Sequence, residues 1–164
     1  MTSLLEICEW IQNTPSSTAI RESLWVFPII EGSHVLALGL SVGTVLWFDL
    51  RLMGVAMRQH TVSEAFDYVR NWMLMGFTIM FVTGALLFWS QALRCYVSGY
   101  FLLKLTLLLL AGINVGVYHF TIDRTCDQWG KAPTPPVKAR IAGFVSIVLW
   151  AGVIAAGRIM AYTF

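Results

Sequence analysis

Residues 29–50 read IIEGSHVLALGLSVGTVLWFDL, and only Glu31 and Asp49 carry a charge in this run of 22 residues. About 20 helical residues are enough to cross the hydrocarbon layer of a bilayer. The run shows no alternation of period two, and it is too long for a strand of a membrane barrel. Because lipid cannot satisfy backbone polar groups, the run is predicted to be a membrane-spanning helix.

Three further apolar stretches follow along the chain, and the four predicted spans are residues 29–51, 68–92, 101–121 and 141–162. The composition agrees, because 57% of the residues are hydrophobic and 12% are charged, against about 25% charged residues in soluble domains. The mean hydropathy is +0.70. This composition excludes a disordered chain, a nucleic-acid-binding protein and an ordinary soluble enzyme. We predict an all-α integral membrane four-helix bundle over residues 28–164.

The segment of residues 1–27 is predicted to form interfacial helices on the outer surface of the membrane. Leu4, Ile7 and Ile11 form one apolar stripe, as expected of a helix that lies in the plane of the interface. The same amphipathic pattern also fits an arm docked on a partner protein. Cys8 falls in this segment, and Cys95 falls in the loop predicted on the same side, so these two residues are candidates for a disulfide.

Basic residues set the predicted orientation. Seven of the eleven Lys and Arg residues follow the first or the third span, and such loops usually lie in the cytoplasm. Both termini are therefore predicted to lie outside the cell membrane. A capping-box pattern at Thr61 and Glu64 predicts that the second helix begins before the bilayer. GxxxG patterns at residues 39–43 and 112–116 predict close packing between helices.

Four polar residues are predicted to lie at one depth near the outer surface: Glu31, His34, Lys104 and Arg158. Ionisable groups within a membrane are costly and mark functional sites. The His34 imidazole is a suitable axial ligand for a haem iron, with Lys104 and Arg158 holding the propionates and Glu31 orienting the imidazole. The same residues also suit a quinone headgroup. The alternative without a ligand is a self-satisfied polar cluster, in which Glu31 pairs with a cation and His34 donates to a carbonyl.

His119 is a second candidate metal ligand, but it is predicted to lie roughly 18 Å from His34 along the membrane normal. One haem cannot be bound by both imidazoles at that separation. Copper bound by soft ligands that include His119 is a further alternative. Asp49 and Arg51 are predicted to point to different faces of the first helix. We expect Asp49 to pair with a cation from a neighbouring helix and Arg51 to reach the membrane interface.

The chain resembles a family of uncharacterised four-helix bacterial inner-membrane proteins. The resemblance covers most of residues 15–164 and is carried by EGSH at residues 31–34, DLRLMG at 49–54, KLTLLLLAGIN at 104–114 and GRIMAY at 157–162. It implies a multi-pass protein of the bacterial inner membrane with both termini in the periplasm, and it implies no established activity. More loosely, the chain is similar to small cytochrome b-type and copper-resistance membrane domains. It departs from the b561-type pattern, which has paired histidines at one depth.

The leading hypothesis is a membrane electron-transfer subunit that binds haem b near the periplasmic face through His34. The alternatives are a structural subunit that anchors a larger membrane complex, and a quinone- or copper-binding membrane protein. The expected partners are the lipid bilayer and a periplasmic redox protein or other membrane subunits. A homo-oligomer is a further alternative, and no nucleic acid is expected.

Overall fold

The computed structural model describes residues 4–132 and 134–162, without the side chains of residues 127 and 128. Residues 1–3 of the predicted interfacial segment and residues 133, 163 and 164 of the predicted bundle therefore lie outside the described residues. Helices make up the fold, and four of those described are long and apolar enough to cross a membrane, with mean hydropathies of 1.6 to 1.9. The predicted class of an all-α, multi-pass membrane fold is confirmed.

The helices follow one another with short connections. They are α1 (Leu4–Gln12), α2 (Pro15–Glu22), α3 (Val26–Leu52), α4 (Val62–Ser90), α5 (Ala92–Val97), α6 (Gly99–Val117), α7 (Cys126–Trp129) and α8 (Val137–Tyr162). A π-helical turn, Tyr118–Ile122, and a 3₁₀ turn, Asp123–Thr125, extend α6. The four long helices are α3, α4, α6 with its extension, and α8. The end of the bundle that holds both termini and α5 is called the terminal end, and the opposite end is called the loop end.

Local signals explain where α4 and α6 begin. The Thr61 side chain accepts a hydrogen bond from the Glu64 backbone N–H, and the Glu64 carboxylate accepts one from the Thr61 backbone N–H. This capping box is the one predicted from the sequence, and it begins α4 six residues before the predicted span. At α6, the Ser98 hydroxyl accepts from the Phe101 N–H. Both caps satisfy backbone donors that a helix leaves without a partner.

In the bundle, α3 packs along α4 and α8, and α6 packs along α8. Gly76 allows α4 to approach α3 closely, because a Cβ atom there would lie 2.8 Å from the Ser41 backbone nitrogen. The predicted packing role of the GxxxG patterns is wrong within this chain. A Cβ atom at any of these four glycines (residues 39, 43, 112 and 116) would meet no atom within 4 Å. Small residues are tolerated on a face that meets lipid, so the pattern alone does not identify a buried contact.

The apolar core has two parts. One buried cluster at the loop end includes Phe48, Leu52 and Tyr118. A second cluster lies nearer the middle of the bundle and consists of buried apolar residues of α3, α6 and α8, with Trp150 as its largest member. The second cluster lies between the two cavities described below.

The N-terminal helices dock on the terminal end of their own chain. The Trp89 indole donates to the Thr14 hydroxyl at 3.0 Å, and the Ser17 hydroxyl donates to the Trp89 carbonyl at 2.9 Å. The Arg21 guanidinium donates to the Gln12 and Ser90 carbonyls. Hydrogen bonds made by side chains of the N-terminal segment, with backbone and side-chain groups, thus hold it against the turn between α4 and α5. Its predicted position on the outer membrane surface stays a prediction.

Arg51 and Asp49 differ from their expected environments. Arg51 is fully buried rather than extended to the interface, because residues 57–60 and 129–132 fold over the end of α3. Its guanidinium donates to three backbone carbonyls, those of His60, Gly130 and Ala132. Asp49 is 4% exposed, and no cation of the described residues forms an ion pair with it within 4.0 Å. The expected pairing of Asp49 with a cation from a neighbouring helix is therefore wrong.

Candidate functional site

A cavity of about 450 Å³ opens at the terminal end of the bundle, between the outer turns of α3, α4, α6 and α8. Its volume falls within the range of small-molecule sites. All four residues predicted to share one depth line it: Glu31, His34, Lys104 and Arg158. The structure brings these four residues to one cavity, while their common depth in a membrane and their role in binding a cofactor stay predictions. We call this space the terminal cavity.

His34 is held in a defined orientation by α4. Its Nδ1 atom lies 2.9 Å from the Thr83 hydroxyl oxygen. The Thr83 hydroxyl donates its single hydrogen to the Ile79 carbonyl at 2.6 Å, so its oxygen accepts from His34. This assigns the hydrogen of the neutral imidazole to Nδ1 and the lone pair to Nε2. A histidine that donates through one ring nitrogen and presents the other is the usual arrangement of a metal-binding imidazole.

Two glycines make room for the polar side chains. A Cβ atom at Gly84 would lie 3.2 Å from the Cε1 atom of His34, so the imidazole packs directly on the α4 backbone. A Cβ atom at Gly157 would lie 3.8 Å from the Lys104 Nζ atom, an ordinary contact. The position of the imidazole therefore depends on a residue without a side chain at Gly84, and Lys104 depends on Gly157 much less.

The charges of the cavity are mostly positive. Lys104 is half-buried, and Arg158 lies over the Tyr162 ring with its guanidinium carbon 5.7 Å from the ring centroid. Arg94 also lines the cavity and donates to the Gln91 amide oxygen at 3.1 Å. Glu31 is exposed, and within the described chain it makes no ion pair within 4.0 Å. Three cations face one carboxylate, an arrangement that favours a ligand with anionic groups.

The self-satisfied polar cluster is therefore only partly present. Glu31 does not pair with Lys104 or with Arg158 across the described residues. His34 does have a partner, which is the Thr83 hydroxyl. Lys104 and Arg158, two of the three cations that line the cavity, form no ion pair among the described residues.

Apolar residues complete the lining. Val35 of α3 and Ile154 of α8 both line the cavity, and they are 50% and 38% exposed. Both residues lie within candidate membrane spans. The cavity therefore combines cationic groups with apolar side chains of the spanning helices.

Cys95 of α5 lines the same cavity and lies outside the four spans. Burial raises the pKa of the Cys95 thiol to about 11, and the nearby Lys104 and Arg94 charges oppose this change. Cys8 and Cys95 are both free thiols, although α1 packs against α5 and Cys8 is close enough to Cys95 to act on it electrostatically. The predicted disulfide is not formed in this structure.

His119 lies far from the terminal cavity. Its ring contacts Phe66 near the start of α4, whereas His34 contacts Thr83 of the same helix. These two α4 residues are 17 positions apart, or about 25 Å along the helix axis. His34 and His119 cannot bind one metal or one haem, as the sequence predicted. No group of three or more His, Cys, Asp or Glu residues that could hold a metal ion occurs in the described part of the chain, so the geometry gives the copper alternative no support.

Sequence reasoning missed two contributors to this site. Thr83 fixes the imidazole, and Arg94 adds a third cation. Thr83 is one of several hydroxyl residues in an apolar helix, and no periodic pattern shows that it faces His34. Arg94 carried a usable signal, because it is one of the few basic residues predicted on the outer side.

The fold and the cavity define a class: a multi-pass membrane protein whose helices form a mainly apolar cavity with several cationic side chains at one end. The profile of a family of unknown function, DUF6644, matches residues 26–163, and the chain belongs to that family. No curated protein and no solved structure matches the chain significantly.

Proposed function

We propose that the protein is a membrane electron-transfer subunit that binds haem b in the terminal cavity. The observation that carries this proposal is the 2.9 Å contact between the His34 Nδ1 atom and the Thr83 hydroxyl oxygen. Because that hydroxyl donates to the Ile79 carbonyl, the contact favours the Nδ1–H tautomer, in which Nε2 carries the lone pair. An imidazole with this tautomer is a common axial ligand of haem iron. A bound haem would supply a one-electron couple to the site.

The other residues of the cavity fit the same ligand. Lys104 and Arg158 are suited to bind the propionates, and the mainly apolar lining suits the macrocycle. Glu31 carries the one carboxylate of the lining and would tune the charge around His34. Met160 also lines the cavity, and a methionine thioether is a known second axial ligand.

An absorption spectrum of the protein, purified from cells supplied with haem, tests the proposal. We expect a Soret band in the wild-type protein and its loss in His34→Ala. His60→Gln is the matched control, because His60 lies in the loop between α3 and α4 and does not line the cavity. A wild-type protein without a Soret band, also after haem reconstitution, would reject the proposal. A band that persists in His34→Ala would reject His34 as the ligand.

A quinone is the second candidate ligand, and the apolar lining that Val35 and Ile154 contribute within the spanning helices favours it. A quinol hydroxyl can donate to the His34 Nε2 atom, and Lys104 can donate to the second oxygen. Solvent extraction of purified protein, followed by chromatography, measures bound quinone. We expect one quinone per chain for this candidate and less in His34→Ala, with no visible colour in either protein.

Electron transfer requires a partner, for which we propose a periplasmic redox protein or another membrane subunit. The outward faces of α3 and α6, which carry the four glycines of the GxxxG patterns, are suited to contact another subunit or a second copy of this chain. The excess of basic residues at and beside the loop end favours an orientation with both termini on the outer side, which is the periplasm for the bacterial inner-membrane location that we propose.

A further inference from the structure

A second, smaller cavity of about 60 Å³ lies at the loop end of the bundle. We call it the loop cavity. Its polar lining comes from three elements: Asp49 of α3, Asn114, Tyr118 and His119 of α6 and its extension, and Ser146 of α8. It shares no residue with the terminal cavity.

Two polar atoms of this lining are buried without a partner. They are the Asp49 Oδ2 atom and the Tyr118 hydroxyl, whose residues are 4% and 5% exposed. An acceptor and a hydroxyl of this kind are costly to bury unpaired. The cavity is large enough for water, and one water molecule can donate to Asp49 and accept from Tyr118.

No cation neutralises Asp49 directly. The Arg51 guanidinium, on the same helix, is turned to the His60, Gly130 and Ala132 carbonyls. The side chains that α4 contributes to the cavity, Phe66 and Met73, are not titratable. The titratable and charged groups around the site, from every packed element, are Tyr118, His119, Asp123, Cys126 and Arg51.

The π-helical turn connects this buried carboxylate with the surface. It brings the consecutive residues Tyr118 and His119 to the same cavity. The His119 side chain is 42% exposed, and its Nδ1 atom lies 3.2 Å from Asp123. His119 therefore touches both the cavity and the exterior. Single π-helical turns are frequent at functional sites.

We propose that the loop cavity is a hydrated proton-binding site, in which Asp49 takes up a proton that enters past His119. The His119 imidazole accepts a proton from the exterior and becomes a cation, and it then releases a proton to the cavity water. One O–H bond of the resulting hydronium ion breaks as a new O–H bond forms on the Asp49 carboxylate. The step leaves a neutral imidazole, a neutral water molecule and a neutral carboxylic acid, so charge and atoms balance. This site is independent of the haem proposed for the terminal cavity.

Infrared difference spectroscopy of the full-length protein in lipid nanodiscs, recorded between buffers of different pH, tests the proposal. We expect a protonated-carboxyl C=O band that changes reversibly with pH, is absent in Asp49→Asn and is retained in Asp67→Asn. Asp67 is the matched control, because it is an exposed carboxylate on α4. After a pH jump, His119→Phe should slow the change of this band about tenfold.

Three results would overturn the proposal: no such band in the wild-type protein, a band that does not change with pH, or a band that survives in Asp49→Asn. An unchanged rate in His119→Phe would overturn the entry route. If Asp49→Asn does not fold, Tyr118→Phe provides the test. Loss of the hydroxyl should shift the frequency of the Asp49 band, and an unshifted band would contradict the shared water.

Discussion

Arg51→Met removes the guanidinium that joins the end of α3 to the two segments folded over it. The Arg51 Nε atom donates to the His60 carbonyl at 2.9 Å, and Nη2 donates to the Gly130 and Ala132 carbonyls at 3.2 Å each. The Gly130 carbonyl also accepts from the Val62 N–H at 3.0 Å, so it keeps a partner in the variant. The other two carbonyls lose the guanidinium.

The expected loss of stability follows from those two carbonyls. A fully buried polar group left unsatisfied costs about 1–3 kcal/mol. The His60 and Ala132 carbonyls form only part-buried bonds with Arg51, so each should cost about 1 kcal/mol, at the low end of that range. Arg51→Met should therefore lower the free energy of unfolding by about 2 kcal/mol. Arg51→Lys keeps the charge but lacks the planar fork that reaches several acceptors. We therefore expect the lysine variant to be destabilised by a similar amount. If charge alone mattered, lysine would restore wild-type stability.

Equilibrium unfolding by SDS in mixed micelles, followed by tryptophan fluorescence, measures these differences. Arg58→Met is the matched control, because Arg58 is an exposed arginine in the connection between α3 and α4. Its effect should stay within about 0.5 kcal/mol. A stability of Arg51→Met within about 0.5 kcal/mol of the wild-type protein would contradict a role of these hydrogen bonds, as would an equal destabilisation of the Arg58 variant.

Three further predictions concern the terminal cavity. Thr83→Val removes the acceptor of the His34 Nδ1–H and should weaken haem binding about 10- to 100-fold in a spectroscopic titration. Thr83→Ser keeps the hydroxyl and should retain the wild-type affinity. If Thr83→Val and Thr83→Ser bound haem equally well, the role of the hydroxyl would be refuted. Gly84→Ala should displace the imidazole and shift the Soret band. Gly157→Ala places its Cβ atom at an ordinary contact distance and should shift the band less. A larger shift in Gly157→Ala than in Gly84→Ala would contradict this geometry. Alkylation of Cys95 should rise about tenfold per pH unit between about pH 7 and 10, because its pKa is raised to about 11 and the thiolate is a minor species throughout. An ordinary thiol of pKa about 8.5 in a reference peptide levels off near pH 9, and a Cys95 profile that does the same by mass spectrometry would disprove the effect of burial.

The sequence predicted the site better than it predicted the packing. The depth of a residue in a spanning helix follows from its position, at 1.5 Å per residue, so a common level for His34, Lys104 and Arg158 could be predicted. The direction in which each residue faces depends on how the helices are rotated against one another. For that reason Thr83 was missed, and glycines 39 and 43 were assigned to a contact that they do not make.

The environment of Arg51 was predicted incorrectly for a different reason. The i,i+2 spacing correctly separates Asp49 and Arg51 onto different faces of α3. The burial of Arg51 depends on residues 57–60 and 129–132, which come from distant parts of the sequence and contribute backbone carbonyls rather than side chains. Backbone acceptors carry no signature in a sequence, so a membrane arginine near a helix end is easily mistaken for an interfacial one.

The apolar cluster around Val42, Val45 and Trp150 lies between the two cavities. A charge in one cavity can still act on the other through the electric field. His34 and Asp49 are 15 residues apart on α3, or about 22 Å. A unit charge at that distance, with an effective dielectric constant of about 20, contributes about 0.8 kcal/mol. For a one-electron couple this equals about 30 mV, so protonation of Asp49 would adjust the potential of a haem at His34 without controlling whether it is reduced.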